Sequence, residues 1–326
     1  MAAASFTWQD GERTIHFGHD ALAAALPTLG SGYTLLTTER ALAMAPAVGD
    51  RAGDIFEIGA GRVDELSAGL VGHVGAVRRI VALGGGRIVD TAKALAAVRA
   101  PGRRALVAAV PTTLSAAEMT AVHRRAASSD SSLPGVRPAL VVNDPALSAS
   151  QPLDQLAASA ANALAHAAEG PATVRASPVP ALAGREAARL IGAAYASGAD
   201  EPDRETLALG ALLSGYTIDS AGYGLHHVLS QTLARFAGVS HGRANAVMLP
   251  HTLAALERRG APGAGGLVAL ATDLARRAQS VSLSELGVDE ATLDAGADQA
   301  AERGELDAIP PRPDRDELRS LYAAAF

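Results

Sequence analysis

The stretch Leu83-Gly84-Gly85-Gly86-Arg87-Ile88-Val89-Asp90-Thr91-Ala92-Lys93 decides the fold of this chain. Three glycines connect a short apolar run, residues 79–83, to a segment in which apolar residues recur at helical spacing. Glycine lets the backbone approach a phosphate closely, and a helix N-terminus presents N–H groups and the positive end of its dipole. The stretch therefore predicts a nucleotide-binding turn, with a tight strand–helix turn that binds nothing as the alternative. It is not the GxGxxG dinucleotide pattern.

Short apolar runs alternate with helix-like segments on both sides of this turn, which predicts a parallel sheet with helices covering both faces. The runs are residues 33–37, 54–58, 79–83, 105–110 and 139–142, and the helix-like segments are residues 21–29, 63–75 and 88–98. Beyond about residue 150 the runs stop, and most of the sequence is helix-like and rich in Ala and Leu. We predict an α/β domain over residues 1–150 and an all-α domain over residues 151–326.

Composition excludes several classes of protein. With 48% hydrophobic residues among 326, the chain has enough apolar material for sizeable cores. The absence of Cys excludes disulfides, Cys-ligated zinc, iron–sulfur clusters and a thiol nucleophile, so any metal must be held by nitrogen and oxygen. A net charge of −6 without basic runs argues against nucleic acid as a partner. The sequence predicts neither a secretory signal nor a membrane span, so we expect a cytoplasmic protein that acts on a small-molecule substrate.

A second polar segment follows the run at residues 105–110. It reads Pro111-Thr112-Thr113-Leu114-Ser115-Ala116-Ala117-Glu118-Met119-Thr120 and places several hydroxyl groups at the carboxyl end of a predicted parallel strand. Ligands of open α/β sheets bind at that edge, and hydroxyl groups suit ribose and phosphate oxygens. The alternative is ordinary Ser and Thr capping of the next element.

Histidines are concentrated in the predicted helical domain. Asn162 and His166 are four residues apart on a predicted helix and share one face, which is the spacing that two metal ligands on one helix need. Neutral imidazole suits Zn(II) or Fe(II), but a carboxylate usually completes such a set, and the Asn162 amide lacks that negative charge. The alternative is that these histidines pack or cap helices. Four more lie close together: His226, His227, His241 and His251.

Taken in order, these elements resemble the iron-containing alcohol dehydrogenase superfamily, and within it the maleylacetate reductases. The matching segments are residues 83–93, 111–120, 144–169, 222–251 and 283–323. The reductase branch is favoured by Asn162, where metal-dependent members place an Asp, and by the double histidine of Gly224-Leu-His-His227. The resemblance implies a dehydroquinate synthase-like fold, with a Rossmann-like dinucleotide-binding domain over residues 1–150 and a helical substrate and metal domain over residues 151–326.

By position, the resemblance also implies site residues. Those that would bind the cofactor, NAD or NADP, are Thr38, Gly84, Gly85, Gly86, Asp90, Thr112, Thr113 and Ser115, with the glycines at the pyrophosphate and Thr38 near the adenosine ribose. Those that would bind a divalent metal, iron or zinc, are Asn162, His166, His227 and His241. In metal-free reductases the histidine positions would instead bind and protonate the substrate. A homodimer is the family's expectation.

These observations predict an NAD(P)H-dependent oxidoreductase resembling maleylacetate reductase. Hydride would pass to a small unsaturated or keto acid, and a histidine would neutralise the developing oxyanion and donate the proton. The candidate catalytic residues are His226, His227 and His241.

Three other functions stay open on the sequence. One is an iron- or zinc-dependent alcohol or aldehyde dehydrogenase in which three histidines bind the metal. Another is a catalytically altered nucleotide-binding homologue, motivated by Asn162, by Arg87 in place of the usual Ser of the glycine turn, and by Gln231 where a further histidine is common. A dehydroquinate synthase-like lyase is disfavoured, because Ala92-Lys93 after Asp90 resembles the dehydrogenase branch.

Overall fold

The computed structural model describes residues 6–74, 77–98, 105–130, 132–196 and 201–326. The chain divides into two compact units, Met1–Gln151 and Pro152–Phe326. None of the described helices is long and apolar enough to cross a membrane.

The first unit is a seven-stranded sheet with the order β1-β2-β7-β6-β5-β3-β4. All neighbouring strands are parallel except β1 and β2, so the predicted parallel α/β fold is confirmed. The strands are β1 Phe6–Asp10, β2 Arg13–Phe17, β3 Tyr33–Thr37, β4 Ala52–Glu57, β5 Arg79–Gly84, β6 Leu106–Pro111 and β7 Leu140–Asn143. The helices are α1 Ala21–Leu29, α2 Glu39–Met44, α3 Pro46–Gly49, α4 Val63–Leu70 and α5 Gly86–Ala97, and a short 3-10 helix spans Pro145–Ser148. The predicted helical segment 63–75 extends to a residue outside the described ranges.

Both faces of the central strands are buried, which explains why these strands read as continuous apolar runs. Successive side chains of a strand point to opposite faces. On β5, Val81 and Leu83 therefore pack in one core with α1, whereas Ile80 and Ala82 pack in a second core with α5. The sheet is held between these two cores, and only the ends of its central strands are available for binding.

The hairpin formed by β1 and β2 is absent from the predicted elements. Asp10 pairs with Arg13, which leaves a two-residue loop whose first residue, Gly11, has a φ of +61°. That left-handed conformation favours glycine at the first central position of a tight hairpin. Burial alternates along β2, with Arg13, Ile15 and Phe17 buried. The Asp-Gly pair beside an alternating run was therefore a usable signal.

Every regular element that the structure describes in the second unit is a helix, which agrees with the prediction. Its helices are α6 Leu153–Ala172, α7 Pro178–Tyr195, α8 Arg204–Ala221, α9 Leu225–Phe236, α10 His241–Arg258, α11 Val268–Arg277, α12 Glu290–Ala301 and α13 Arg315–Ala324, with a 3-10 helix at Gly304–Ala308. Small residues let the helices approach closely. A Cβ at Gly184 of α7 would lie 2.6 Å from the Ala167 carbonyl of α6. This packing agrees with a chain in which aromatic residues make up 3%.

Candidate functional site

The carboxyl ends of three adjacent strands bring the predicted cofactor residues to one edge of the sheet. Thr38 follows β3, Gly84–Gly86 ends β5 and begins α5, and Thr112 follows β6. The chain leaves β3 toward β4 but leaves β5 toward β6 on the opposite side, so the strand order reverses between β3 and β5. Open α/β sheets bind ligands at such a reversal. Thr38 and the glycine turn flank it.

The glycine turn packs directly against the loop that follows β6. A Cβ at Gly86 would lie 2.8 Å from both Cβ and Oγ of Ser115, and one at Gly85 would lie 3.2 Å from the Thr113 side chain. Gly84 has a φ of +157° and its Cβ would meet Ile88 at 2.6 Å. A Cβ at Gly84 or Gly86 would therefore clash, and one at Gly85 would be crowded. Helix α5 also starts without a side-chain cap, which suits an N-terminus that binds an anion.

A buried lysine fixes the segment after β6 to α5. Lys93 is fully buried, and its Nζ donates to Asp90 Oδ1 at 2.8 Å, to the Ala117 carbonyl at 3.0 Å and to the Val122 carbonyl at 2.7 Å. Asp90 is thus engaged by Lys93, and its predicted contact with the cofactor stays a prediction. Thr38 likewise has a structural task, because its Oγ accepts the Ala41 N–H at 3.3 Å and caps α2.

Glu118 is the least solvated carboxyl group of this segment. It is 1% exposed, and its Oε2 has no hydrogen-bond partner among the described residues. Burial raises the pKa of Glu118 to about 7, against the opposing effects of its own backbone N–H, Lys93 and Arg13. Nothing in the sequence pattern pointed to this residue.

In the second unit, three helices bring the predicted histidines together. Helix α6 supplies Asn162 and His166, α9 supplies His226 and His227, and α10 supplies His241. The rings of His166 and His227 stack with centroids 4.8 Å apart at 16°, and those of His226 and His227 meet edge to face at 5.1 Å. His241 is exposed at the start of α10, whereas the other four are buried.

Glu169 of α6 contacts both the ring of His227 and the backbone at the start of α9. Its Oε2 lies 2.5 Å from His227 Nδ1, and its Oε1 accepts the His226 backbone N–H at 2.6 Å. The His227 backbone N–H also donates to Oε2, at 3.4 Å. The carboxylate therefore contacts the ring and the first turn of α9 at once.

An amide at the centre of the cluster connects the other members. Asn245 Nδ2 donates to Asn162 Oδ1 at 2.9 Å and lies 3.1 Å from His241 Nε2. Asn245 Oδ1 lies 3.1 Å from His226 Nε2, and His226 Nδ1 lies 2.9 Å from Thr252 Oγ. Because Asn245 Nδ2 has two hydrogens and both are used, its oxygen must be the acceptor of His226 Nε2–H. Both ring nitrogens of His226 are therefore engaged.

Burial governs the charges of the cluster. It lowers the pKa of His226 and of His227 to about 3, and neighbouring histidines act in the same direction. The pKa of His166 falls well below its ordinary value for the same two reasons. Burial raises the pKa of Glu169, while His226 and the backbone N–H groups of α9 oppose that shift. The imidazoles of the buried histidines are neutral near pH 7.

The donor atoms fit the predicted metal site only in part. His166 Nδ1 and His227 Nε2 are buried without a hydrogen-bond partner in the described part of the chain, as two ligand nitrogens would be. However, Asn162 Oδ1 already accepts a hydrogen bond from Asn245, and the Glu169 carboxylate beside the histidines faces α9. Across the described residues, no three or more His, Asp or Glu side chains are arranged to hold a metal ion. The four predicted ligand residues therefore lie in one cluster, in which Asn245 connects Asn162 and His241 and the rings of His166 and His227 stack.

Several residues of the cluster were not assigned a role from the sequence. Glu169 lies three residues after His166 and seven after Asn162, which places it on the same helix face and was a usable signal. Asn245 lies four residues after His241 on α10 in the same way. Tyr223, whose ring centroid is 5.5 Å from that of His227, precedes α9 and carried no such signal. His251 is half-exposed on α10.

Comparison with known proteins gives a consistent result. The family description "Fe-containing alcohol dehydrogenase family, C-terminal" matches residues 156–264. A maleylacetate reductase of Burkholderia cepacia is 32% identical over 264 residues, covering 76% of this chain and 73% of the relative. The crystal structure of maleylacetate reductase from Agrobacterium tumefaciens superposes with a TM-score of 0.82 at 26% identity, covering 99% of this chain and 98% of the other. That of maleylacetate reductase from Rhizobium sp. strain MTP-10005 gives 0.82 at 27% identity, with the same coverage.

The predicted resemblance is confirmed by these matches, which extend over most of the chain. The chain belongs to the iron-containing alcohol dehydrogenase family and is an NAD(P)-dependent oxidoreductase similar to the maleylacetate reductases.

Proposed function

We propose that this enzyme reduces a small unsaturated or keto acid of the maleylacetate type, with NADH or NADPH as the hydride donor. The observation that carries the proposal is the uncharged polar character of the histidine cluster. His166 and His227 are neutral, Asn162 carries no charge, and the Glu169 carboxylate is turned to the backbone of α9. Neutral hydrogen-bonding groups accommodate an anionic acid without the repulsion that a carboxylate at position 162 would exert. The maleylacetate reductase relatives support the same substrate class.

We assign the binding of the cofactor pyrophosphate to Gly84–Gly86 at the N-terminus of α5, with Thr113 and Ser115 beside it. Bound NAD(P)H supplies the hydride. The residues of this chain would hold the phosphates by backbone N–H groups, which need no side chain. Thr38 would lie near the adenosine ribose.

For contact with the substrate we favour His227 over His226. His226 has both ring nitrogens engaged, whereas His227 Nε2 and His166 Nδ1 have no partner in the described part of the chain. These two nitrogens can form hydrogen bonds to a substrate carbonyl or hydroxyl, and His227 Nε2 can exchange the proton of the reaction. His241, exposed at the start of α10, would contribute at the edge of the cluster.

The test is a comparison of substrates with both reduced cofactors. Oxidation of NADH and of NADPH is followed with maleylacetate, with short keto acids and, in the reverse direction, with short alcohols. We expect turnover with the unsaturated acid to exceed that with any alcohol by at least about tenfold. His227→Gln should abolish most of this turnover. Glu317→Gln is the control: Glu317 lies on α13 and pairs with Arg259, and its replacement should leave the turnover unchanged. Absence of turnover with every acid would refute the proposal.

A metal-dependent alcohol or aldehyde dehydrogenase is the second candidate. It is favoured by the two buried nitrogens without partners, His166 Nδ1 and His227 Nε2, which are of the type that iron or zinc binds. Elemental analysis of protein purified without chelator tests it. One iron or zinc per chain together with alcohol oxidation would favour this candidate over the first. The homodimer and the cytoplasmic location that we expect from the sequence remain part of the proposal, and sedimentation and cell fractionation test them.

A further inference from the structure

We propose that Glu169 is a positioning residue, which fixes the tautomer of His227 so that Nδ1 carries the ring hydrogen and Nε2 is a hydrogen-bond acceptor. The geometric statement is independent of the substrate. Only its kinetic consequence rests on the proposed function, through the assignment of His227 Nε2 as the group that exchanges the proton.

The argument begins with the backbone of α9. The N–H groups in the first turn of a helix have no partner inside the helix. Glu169 Oε1 accepts the His226 N–H at 2.6 Å, and Oε2 accepts the His227 N–H at 3.4 Å. A backbone N–H can only donate, so both carboxylate oxygens are committed as acceptors. The negative charge also complements the positive end of the α9 dipole.

The ring of His227 must then adapt to Glu169. Oε2 lies 2.5 Å from His227 Nδ1, which is shorter than the usual range for a hydrogen bond between nitrogen and oxygen, and bonds to an ionised group are the shorter ones. The bonds from the α9 backbone N–H groups favour the ionised form of Glu169, which has no hydrogen to give. Nδ1 is then the donor, and in a neutral imidazole the hydrogen is absent from Nε2. Nε2 is the nitrogen without a partner in the described residues. The same relation between a carboxylate and an imidazole orients the base of hydrolase triads and the ligands of many metal sites.

Two further contacts restrict the ring. His166 stacks on one face of His227 at 4.8 Å, and His226 meets it edge to face at 5.1 Å. To bring Nε2 to Glu169 in place of Nδ1, the imidazole would have to move relative to the rings of His166 and His226. Glu169 and the two neighbouring rings therefore define both the orientation and the tautomer of His227.

The variant Glu169→Gln is expected to change the tautomer of His227 without removing the hydrogen bond that caps α9. The amide oxygen has to face the His226 N–H, because two donors cannot meet at 2.6 Å. The amide nitrogen then takes the place of Oε2 and donates to His227 Nδ1. His227 is forced into the opposite tautomer, with its hydrogen on Nε2, while the main cap of α9 is kept.

Nitrogen-15 NMR of protein with labelled histidine reads the tautomer directly. In the unaltered enzyme we expect His227 Nδ1 to show a pyrrole-type shift and Nε2 a pyridine-type shift. Glu169→Gln should exchange the two, and Glu169→Asp, which keeps both oxygens, should retain the original pattern. Glu317→Gln, a carboxylate far along the sequence on α13, is the matched control and should change neither.

The kinetic readout is a separation of kcat from KM. Glu169→Gln should lower kcat about 100-fold or more and leave the KM for the reduced cofactor within about twofold, and Glu169→Asp should recover part of the loss. An Nε2–H tautomer in the unaltered enzyme, or an unchanged tautomer in Glu169→Gln, would overturn the inference even if that variant is inactive. If the unaltered enzyme turns over no acid, the proposed function fails, and the NMR result still decides the role of Glu169.

Discussion

Replacement of Glu118 by Gln should stabilise this protein above neutral pH and change little near pH 5. Glu118 is buried beside α5, and its Oε2 lacks a hydrogen-bond partner among the described residues. Burial raises its pKa to about 7 although Lys93 and Arg13 are near. A carboxylate at this position is therefore a buried charge with incomplete compensation, whereas Gln is a neutral isostere.

The magnitude follows from linkage between protonation and folding. The ordinary pKa of the group is 4.5 and the folded value is about 7. Each pKa unit is worth about 1.4 kcal/mol, so the charged form costs the folded state about 3 kcal/mol. Between these two values the folded state binds more protons than the unfolded state, so the free energy of unfolding decreases as pH rises through this window. Below pH 4.5 the cost is absent, and above about pH 7 it is fully present.

Urea unfolding at pH 5, 6, 7 and 8, followed by circular dichroism, measures the difference between Glu118→Gln and the unaltered protein. We expect the variant to be about 3 kcal/mol more stable at pH 8, and the difference to fall to below about 1 kcal/mol at pH 5. Glu57→Gln, at an exposed position on β4, controls for the loss of one negative charge. A difference that is the same at pH 5 and pH 8 would refute the reasoning.

Three further predictions concern the two candidate sites. Gly86→Ala places a Cβ 2.8 Å from Ser115, so we expect about 1–3 kcal/mol lower stability in urea and at least about tenfold weaker NADH binding by calorimetry. Unchanged binding would show that the turn does not hold the cofactor. Thr38→Asp keeps the cap of α2 and adds a negative charge, so the ratio of kcat/KM for NADH over NADPH should rise at least about tenfold, and an unchanged ratio would place Thr38 away from the ribose. Asn162→Asp can still accept the hydrogen bond from Asn245 and restores a charge, so zinc affinity should rise at least about tenfold in a titration of chelator-treated protein. Equal affinity would exclude residue 162 from any ligand set.

The architecture was predictable because its signals are local. The runs at 33–37 and 79–83 correspond to β3 and β5 within one residue, since strands buried on both faces are apolar throughout. The segment 21–29 coincides with α1. The hairpin at Gly11 had a signal as well, the Asp-Gly pair. That signal covers only two residues, and it is weaker than the alternation of apolar runs and helix-like segments that follows it.

The interior of the histidine cluster could not be predicted, because it depends on contacts between distant helices. Glu169 and His227 are 58 residues apart, and Asn162 and Asn245 are 83 apart. Spacing on one helix indicates which side chains share a face, but not which nitrogen of a ring is engaged. The partners of Lys93 could not be predicted either. Two of them are backbone carbonyls, and because every residue has one, the sequence does not indicate which carbonyl accepts.

The strand order has a consequence for the synthesis of the chain. β2 lies beside β7, with Thr14 opposite Leu140, so the neighbour of β2 is made 126 residues later. At a ribosomal rate of about 5–20 residues per second, the hairpin waits roughly 6–25 s before that partner exists. During this interval one edge of β2 is unpaired and offers its backbone groups to any other extended segment. The most vulnerable moment for aggregation should therefore fall during translation of the first unit, when a ribosome-bound chaperone has most to protect.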